Sequence, residues 1–232
     1  MTQSELEAAV AALSELGMPY EPQGVFVSEV DEGSPAAGDL VPGDIITAVD
    51  SRDVRTLEEL TDALSDRPAG DTVRLGVRRG SRTLELRVDT AEAEDGASRL
   101  GAELVQYNKA PIDVSISSRD IGGPSAGLMY ALSIYDRLVP EDITGGRKIA
   151  GTGTIENPAG RSGVVGAVGS VELKVKGASR IGAGVFLVPK PELDEARAAA
   201  GSGMEVIGVS TLKEAITELK RLPPTKVAQK KT

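Results

Sequence analysis

A glycine-rich turn that runs directly into an apolar segment constrains this chain more than any other stretch. Residues 122–127 read Gly-Gly-Pro-Ser-Ala-Gly, and mostly apolar residues follow as far as about Arg137. Glycines let the backbone turn sharply, and proline suits the first turn of a helix. We therefore predict a buried helix with Ser125 at or near its positive end. Such a position suits a nucleophile, a phosphate site or a simple helix cap.

The composition decides which nucleophilic chemistry is open to this serine. The 232 residues include no histidine and no cysteine. This excludes a Ser/His/Asp triad, a Cys/His pair and any zinc site built on imidazole or thiolate ligands. A serine nucleophile would need lysine, aspartate, glutamate or the amino terminus as its base, and Ser/Lys is the known variant. We expect no metal or cofactor.

Charge and hydropathy exclude two further classes of partner. The net charge of -9 and the aromatic content of 3% argue against a surface for nucleic acid. No apolar run is long enough to span a membrane, and no signal peptide is visible. With 40% apolar residues and both signs of charge, the chain is expected to be soluble and globular, with one or two domains.

The first part of the chain combines helices with short strands. Residues 4–17 are predicted to form an amphipathic helix that begins with the capping-box pair Ser4 and Glu7. A second capping box, Thr56 with Glu59, predicts another helix. The alternating apolar residues that follow it, before and after a turn at residues 79–81, predict a β-hairpin.

Two short motifs in this part resemble a PDZ domain of the type attached to bacterial proteases. They are Gly-Ser-Pro-Ala-Ala at 33–37 and Pro-Gly-Asp-Ile-Ile at 42–46. The resemblance covers about residues 23–90 and implies that a peptide C-terminus adds as a strand between the first strand and the helix. It implies these groove residues: Gly24, Val25, Phe26, Val27, Leu57 and Leu60. The alternative for these apolar side chains is that they belong to the core of the module.

A change of pattern marks a domain boundary at residues 91–98, which are small and acidic and have no period. Beyond them, alternating apolar residues at 112–116 predict a strand that leads to Gly122. Strand and helix patterns then alternate to about Lys220, which indicates an α/β or α+β domain. The polar, basic residues 223–232 are expected to be a disordered tail.

Two lysines on the helix predicted at 171–181 are candidates for the base. At about 100° per residue, Lys174 falls on the edge of the apolar arc, whereas Lys176 falls opposite, on the solvated side. An amine held against an apolar surface is partly desolvated, which favours the neutral form that can accept a proton. The alternative is that Lys174 extends along its alkyl stem to reach water.

Four ordered landmarks resemble the Lon-type Ser/Lys peptidase domain. They are the stretches at 122–127, 151–155, 171–174 and 185–189. The resemblance covers about residues 100–220 and implies that Ser125 is the nucleophile and Lys174 the base. It also implies that Thr152 orients the lysine. Gly123 and Pro124 would support the serine.

Together these resemblances predict an α+β protein with four parts: an N-terminal helix (1–20), a PDZ domain (21–92), a Lon-type α/β proteolytic domain (99–222) and a tail (223–232). This order, with a PDZ domain ahead of a Lon-type domain, resembles that of the PDZ-carrying Lon-like proteases of Gram-positive bacteria. The resemblance implies an ATP-independent serine endopeptidase that acts on proteins or peptides, with a PDZ module for peptide C-termini. A homo-oligomer is compatible with it.

Two alternatives stay open at this point. The chain could be a PDZ peptide-binding scaffold with an inactive protease-like domain, or residues 122–127 could bind phosphate. The resemblance also implies that this chain is a piece of a longer, membrane-anchored and extracytoplasmic protein, whose anchor and first strand would lie outside the 232 residues.

Overall fold

The computed structural model describes residues 2–65, 67–68, 70–92, 96, 98–109, 116, 123–157 and 163–225. Within these ranges the chain forms two compact units. The first comprises residues 1–3 and 20–109, and the second comprises residues 4–19 and 110–232. The predicted strand at 112–116 and the tail residues 226–232 lie outside the described residues, apart from Ile116.

The described residues up to 109 form two helices and eight strands. Their bounds are α1 (Gln3–Glu15), β1 (Glu21–Val30), β2 (Ile45–Val49), β3 (Arg52–Asp53), α2 (Leu57–Ser65), β4 (Thr72–Arg79), β5 (Arg82–Asp89), β6 (Ala91–Glu92), β7 (Ser98–Arg99) and β8 (Ala102–Lys109). The predicted helices and the predicted hairpin, which is β4 and β5, are confirmed.

The main sheet of the first unit has the strand order β5-β4-β2-β1-β8, and β3 pairs with β2. All of its pairs are antiparallel. Strand β1 lies inside the sheet, since it pairs with β2 on one side and with β8 on the other. Strand β8 is at the edge of the sheet. The two edges of β1 are therefore both occupied.

The predicted capping box of α2 is formed. The Glu59 N–H donates to the Thr56 hydroxyl at 3.1 Å, and the Thr56 N–H donates to the Glu59 carboxylate at 3.2 Å. Backbone N–H groups near this carboxylate lower the pKa of Glu59. Leu60 and Leu64 pack this helix into the core of the unit, so that one face of α2 is fixed over the sheet.

The first unit continues beyond the boundary that the sequence predicted at 91–98. Residues 91–92 pair with 98–99 in a short antiparallel ribbon, and β8 then pairs along β1 from Lys109 to Ala102. Residues 99–109 therefore belong to the first unit and not to the second. A pairing of strands about 80 residues apart has no local sequence signal, which explains the difference.

The second unit contains most of α1 and the elements that follow residue 123. Their bounds are a 3-10 turn (Pro124–Ala126), α3 (Gly127–Leu138), β9 (Ile149–Gly151), β10 (Thr154–Glu156), β11 (Val164–Gly166), α4 (Val171–Arg180), β12 (Val185–Pro189), a 3-10 turn (Lys190–Glu192), α5 (Leu193–Ala199), β13 (Glu205–Val209) and α6 (Leu212–Arg221). These elements confirm the predicted alternation of strands and helices.

A parallel three-stranded sheet is central to the second unit. Its order is β13-β12-β9, while β10 and β11 form a separate antiparallel pair. Strand β12 is buried along its whole length, as an interior parallel strand requires. One core cluster contains apolar residues of α1, α3 and α6 together with β12, and a second cluster packs α4 and α5 against the sheet.

The capping box predicted for α1 is not formed. Helix α1 begins at Gln3, so that Ser4 lies inside its first turn, and the Ser4 hydroxyl points to the Pro124 carbonyl. The Glu7 carboxylate accepts a hydrogen bond from the Asn157 amide. Both side chains make tertiary contacts within the second unit in place of local caps. Helix α6 is capped by Thr211, whose hydroxyl accepts a hydrogen bond from the Glu214 N–H at 3.1 Å, while the Glu214 carboxylate accepts one from the Ser210 N–H at 2.8 Å.

Candidate functional site

Ser125 lies in the 3-10 turn that leads into α3. Gly123, just before the turn, has a φ of 84°, a conformation that favours glycine, and Pro124 is the first residue of the turn. The chain therefore bends sharply and enters the helix at once, as predicted. Ser125 is half-buried, and the helix behind it is held in the core by Leu128 and Ala131. Gly122 lies outside the described residues.

Thr152 lies directly after β9 and connects this strand to the serine turn. Its N–H donates to the Leu187 carbonyl of β12 at 2.9 Å. Its hydroxyl donates to the Ser125 carbonyl at 3.0 Å, and the Gly153 N–H donates to the same carbonyl at 2.9 Å. Thr152 is only 2% exposed. The backbone of Ser125 is thus fixed by two donors from the end of a buried sheet.

Lys174 reaches the same point from α4. Its Nζ donates to the Thr152 hydroxyl at 3.2 Å. The same hydroxyl donates to the Ser125 carbonyl. The distance from the Lys174 Nζ to the Ser125 carbonyl oxygen is therefore at most the sum of these two hydrogen-bond lengths. The structure thus brings Ser125, Thr152 and Lys174 together, although they are widely separated in sequence. The Lys174 amine makes its hydrogen bond to Thr152 and not to the Ser125 hydroxyl.

The other lysine of α4 faces away, as the helix projection predicted. Lys176 pairs with Glu172 one turn earlier, and about half of its side chain is exposed. This pairing lowers the pKa of Glu172. Lys176 is therefore a matched control for Lys174, since both lie on the same helix two residues apart.

Carboxylates from the next segment hold the start of α4. Both oxygens of Glu192 accept a hydrogen bond from the Val168 N–H at 3.1 Å, and Glu195 accepts one from the Glu172 N–H at 3.3 Å. Carboxylates are favourable at this positive end of a helix. At the other end, Lys148 donates to the Ile181 carbonyl at 2.6 Å. The helix that carries Lys174 is thus restrained at both ends.

A close backbone approach sets the distance between α3 and β10. A Cβ atom built on Gly127 would lie 2.8 Å from the Ile155 nitrogen, closer than side-chain carbons are found. The Leu128 N–H donates to the Gly153 carbonyl at 3.0 Å across the same contact. Because Gly127 has no side chain, the turn that carries Ser125 can pack directly against the start of β10. Among the described residues, no group of three or more acidic side chains could hold a metal ion.

The structure corrects the predicted peptide groove of the first unit. Gly24, Val25, Phe26 and Val27 belong to β1, whose edges pair with β2 and β8, so no peptide strand can add there. Val25 and Val27 are fully buried in the core. A Cβ atom on Gly24 would lie 2.5 Å from the Ile46 carbonyl oxygen, which shows how closely β1 and β2 approach.

Strand β8 is one of the two edge strands of this sheet, with β5 at the other edge, and a cavity of about 280 Å³ lies between β8 and α2. Leu60, from the predicted set, lines this cavity. Leu57 lies on the first turn of the same helix with 37% of its surface exposed. The other lining residues are Asp31, Thr61, Leu64, Ser98, Arg99, Leu100, Gly101, Ala102 and Leu104. We refer to this cavity as the β8–α2 groove.

Sequence reasoning missed the loop at the end of this groove. Gly101 has a φ of 68°, and a Cβ atom there would lie 2.4 Å from the Ser34 Cβ. The Asp31 N–H donates to the Gly101 carbonyl at 3.0 Å and fixes the loop. Gly101 followed by the apolar residues Leu104 and Val105 is the local signal that would have indicated a turn into a strand.

A comparison with family models matches residues 5–90 to the PDZ domain family. Strands β1–β5 and α2 lie both within this match and in the first unit, whereas residues 5–19 of the match belong to the second unit and β8 lies beyond the match. The chain carries a PDZ domain.

Three curated relatives of this PDZ-carrying chain are proteases by name. The magnetosome formation protease MamE of Paramagnetospirillum magneticum is 35% identical over 162 residues, which is 67% of this chain and 21% of that protein. Lon protease 2 of Bacillus subtilis is 35% identical over 107 residues, 45% of this chain and 18% of that protein. Protease Do-like 8 of Arabidopsis thaliana is 43% identical over 56 residues, 24% of this chain and 12% of that protein.

The chain therefore spans about a fifth or less of the length of these relatives. The similarity to Lon protease 2 covers more residues than the PDZ match of residues 5–90. The described part of the chain contains no helix with the length and apolar character needed to cross a bilayer.

Proposed function

We propose that this chain is an ATP-independent serine endopeptidase in which Ser125 is the nucleophile and Lys174 the base. The observation that carries the proposal is the hydrogen-bonded connection from the Lys174 amine through the Thr152 hydroxyl to the Ser125 backbone. A buried threonine that bonds both partners holds a lysine near a serine in the absence of any histidine. The similarity to proteases, including Lon protease 2, supports the same reaction class.

The proposed reaction is acyl transfer from the peptide to the serine and then to water. Neutral Lys174 accepts the proton of the Ser125 hydroxyl while the serine oxygen attacks the peptide carbonyl. The ammonium then gives this proton to the leaving amine, and water hydrolyses the acyl ester with Lys174 again as base. Backbone N–H groups at the start of the 125–138 segment would stabilise the oxyanion. A rotation of the Lys174 side chain would exchange its bond to Thr152 for one to the serine hydroxyl.

A Ser/His/Asp triad is the main alternative for a serine protease. It needs an imidazole to move the proton, and the 232 residues include no histidine. The similarity to protease Do-like 8 covers only 56 residues of this chain. These residues by themselves can therefore supply lysine-assisted chemistry and not a histidine-dependent triad.

A second candidate function is peptide binding without catalysis, in which the PDZ domain is the functional part. The match to the PDZ family and the open β8–α2 groove favour it. PDZ domains bind peptide C-termini, which add as a strand at a sheet edge. In the proposed protease the same groove would select or tether substrates.

Cleavage of a fluorescently labelled unfolded protein separates these two functions. We expect Ser125→Ala and Lys174→Ala to reduce the rate at least about 1000-fold, the scale at which a nucleophile or its base contributes. Lys176→Ala should keep the rate of the parent chain. Equal cleavage by the parent chain and Ser125→Ala would overturn the proposal, and equal absence of cleavage with retained peptide binding would favour the second candidate.

A further inference from the structure

The N-terminal helix α1 lies in the same unit as the candidate site, although it is about 120 residues away in the chain. Residues 4–19 cluster with the second unit and not with the residues that follow them directly. Ala12 is fully buried and shares one core cluster with Leu128 and Ala131 of α3, the helix that begins just after the serine turn. Helix α1 is therefore packed into the unit that holds Ser125.

The first turn of α1 lies close to the turn that carries Ser125. The Ser4 hydroxyl oxygen is 3.5 Å from the carbonyl oxygen of Pro124, the residue before the serine. A Cβ atom built on Gly127, two residues after the serine, would lie 3.3 Å from the same hydroxyl oxygen. The start of α1 therefore passes residues on both sides of Ser125, and a movement of this helix would reach the serine turn.

The side chain of Asn157 joins α1 to the hairpin of β10 and β11. Its amide nitrogen donates to the Glu7 backbone carbonyl at 2.9 Å and also to the Glu7 carboxylate. Its amide oxygen accepts a hydrogen bond from the Gly163 N–H at 3.0 Å. Asn157 directly follows β10 and Gly163 directly precedes β11, so one carboxamide connects the ends of both strands to α1. Asparagine suits this link because it carries a donor and an acceptor on one planar group.

The other end of β10 is connected to Ser125. Gly153, the residue before β10, donates its N–H to the Ser125 carbonyl at 2.9 Å, and its own carbonyl accepts from the Leu128 N–H at 3.0 Å. Thr152, one residue earlier, accepts a hydrogen bond from the Lys174 amine. Strand β10 is only three residues long and pairs with β11 along its whole length. Such a short, paired element moves as one piece, so a displacement at its far end is transmitted to Gly153.

We propose that Asn157 and Glu7 are positioning residues for the cleavage reaction, and that α1 is therefore part of the catalytic unit. Through β10 they hold the backbone of Ser125 and the Thr152 hydroxyl in the arrangement that the reaction needs. They act through Gly153 and not on the reacting atoms. The inference deepens the proposed function and rests on it for its effect on the rate, whereas the link from α1 to the serine turn can be measured without cleavage.

Asn157→Ala removes all three hydrogen bonds of the link. We expect kcat for cleavage of the labelled unfolded protein to fall about 10- to 100-fold while KM stays within about twofold, because the serine turn is displaced and the substrate surface is kept. Ala215→Gly in α6 is the matched control, since glycine inside a helix lowers stability and none of these hydrogen bonds includes Ala215. It should keep the kcat of the parent chain. Rates are compared under conditions in which urea unfolding shows each variant to be folded, and equal kcat for the two variants would overturn the inference.

An exchange of the two side-chain chemistries tests the contact between Asn157 and Glu7. Asn157→Asp can still accept from the Gly163 N–H, but it places a second carboxylate against that of Glu7. In the double variant Glu7→Gln/Asn157→Asp the glutamine can donate to the aspartate, so the hydrogen bond returns in the reverse direction. We expect kcat of Asn157→Asp to fall at least as far as that of Asn157→Ala, and the double variant to recover at least about fivefold. A double variant no faster than Asn157→Asp would contradict the role of Glu7.

Hydrogen exchange of the backbone amides, followed by NMR, separates this inference from the proposed function. We expect the Gly153 N–H, which bonds the Ser125 carbonyl, to exchange at least about tenfold faster in Asn157→Ala than in the parent chain or in Ala215→Gly. A parent chain that does not cleave would overturn the proposed function, and the exchange rates would then decide about the link alone. Equal exchange of this N–H in all three chains would overturn the inference, whether or not the parent chain cleaves.

Discussion

The Lys174 amine donates a hydrogen bond of 3.2 Å to the buried hydroxyl of Thr152. The same hydroxyl donates to the Ser125 carbonyl at 3.0 Å. Thr152 therefore determines both where the lysine amine is held and how the backbone of the serine turn is fixed. The arrangement joins the end of β9, the helix α4 and the serine turn at one buried oxygen.

The first prediction concerns this hydroxyl. Thr152→Val keeps the shape of the side chain but removes both hydrogen bonds, so the amine loses its orientation. We expect kcat for protein cleavage to fall about 10- to 100-fold and the free energy of unfolding to fall by about 1 kcal/mol. Thr152→Ser retains the hydroxyl and should stay within about threefold of the parent rate. A Thr152→Val variant with unchanged kcat would show that the threonine does not position the lysine.

The second prediction concerns the glycine that separates α3 from β10. Gly127→Ala places a methyl group 2.8 Å from the Ile155 nitrogen, so one of the two segments must move. We expect a loss of about 1–3 kcal/mol in stability, measured by urea unfolding, together with a reduced cleavage rate. Gly177→Ala is the matched control, because no atom outside its own helical backbone and its chain neighbours lies within 4 Å of its added carbon. That change should be neutral or stabilising in a helix.

The third prediction concerns the pH dependence of stability. Burial raises the pKa of Glu7 above its ordinary value of 4.5, partly opposed by the Asn157 hydrogen bond, and the nearby Glu156 raises it further. The folded chain thus holds this proton more tightly than the unfolded chain. The stabilisation is complete below about pH 4.5 and is lost as the pH rises through the raised pKa.

Glu7→Gln should therefore raise Tm at pH 7–8 by about 1–3 °C, since glutamine carries no charge there and can still accept from Asn157. The advantage should disappear near pH 4. Differential scanning calorimetry at several pH values measures it. A Tm difference that is the same at pH 4 and pH 8 would show that Glu7 is not destabilised by its charge.

The fourth prediction concerns the ion pair between Asp44 and Arg79 in the PDZ domain. Asp44 is fully buried and accepts two hydrogen bonds from the Arg79 guanidinium, at 2.7 and 2.8 Å, and one from the Val41 N–H at 3.0 Å. Arg79 is partly exposed, so its own charge remains solvated after a substitution. Asp44→Ala should lower the free energy of unfolding by about 2–3 kcal/mol, mainly through the unpaired backbone N–H. Loss of peptide binding without loss of stability would contradict this structural role.

The sequence predicted the part of the fold that depends on local patterns. The capping pair of Thr56 and Glu59 and the alternation of the hairpin are local signals, and the structure contains both of them. The helix projection also separated Lys174 from Lys176 correctly, because one helix determines which side chain faces the core. The roles of Ser125 and Lys174 in catalysis stay predictions.

The location of the β8–α2 groove was the part that the sequence could not predict. Its location depends on β8 pairing with β1. These strands are about 80 residues apart in the chain, and no local sequence pattern indicates that they pair. The capping box at Ser4 failed for a related reason, since Ser4 and Glu7 make tertiary contacts to Pro124 and Asn157. In both cases a long-range contact replaced the arrangement that the local pattern indicates.

The central claim is that Lys174 activates Ser125, and labelling by a serine-directed electrophile such as a fluorophosphonate tests it most directly. Intact-protein mass spectrometry would follow the parent chain, Ser125→Ala, Lys174→Ala and Lys176→Ala, each first shown to be folded by circular dichroism. We predict one label per chain on Ser125 in the parent and in Lys176→Ala, and at least about 100-fold slower labelling in the other two. Equal labelling of the parent and Lys174→Ala, or a parent that is not labelled, would contradict the account.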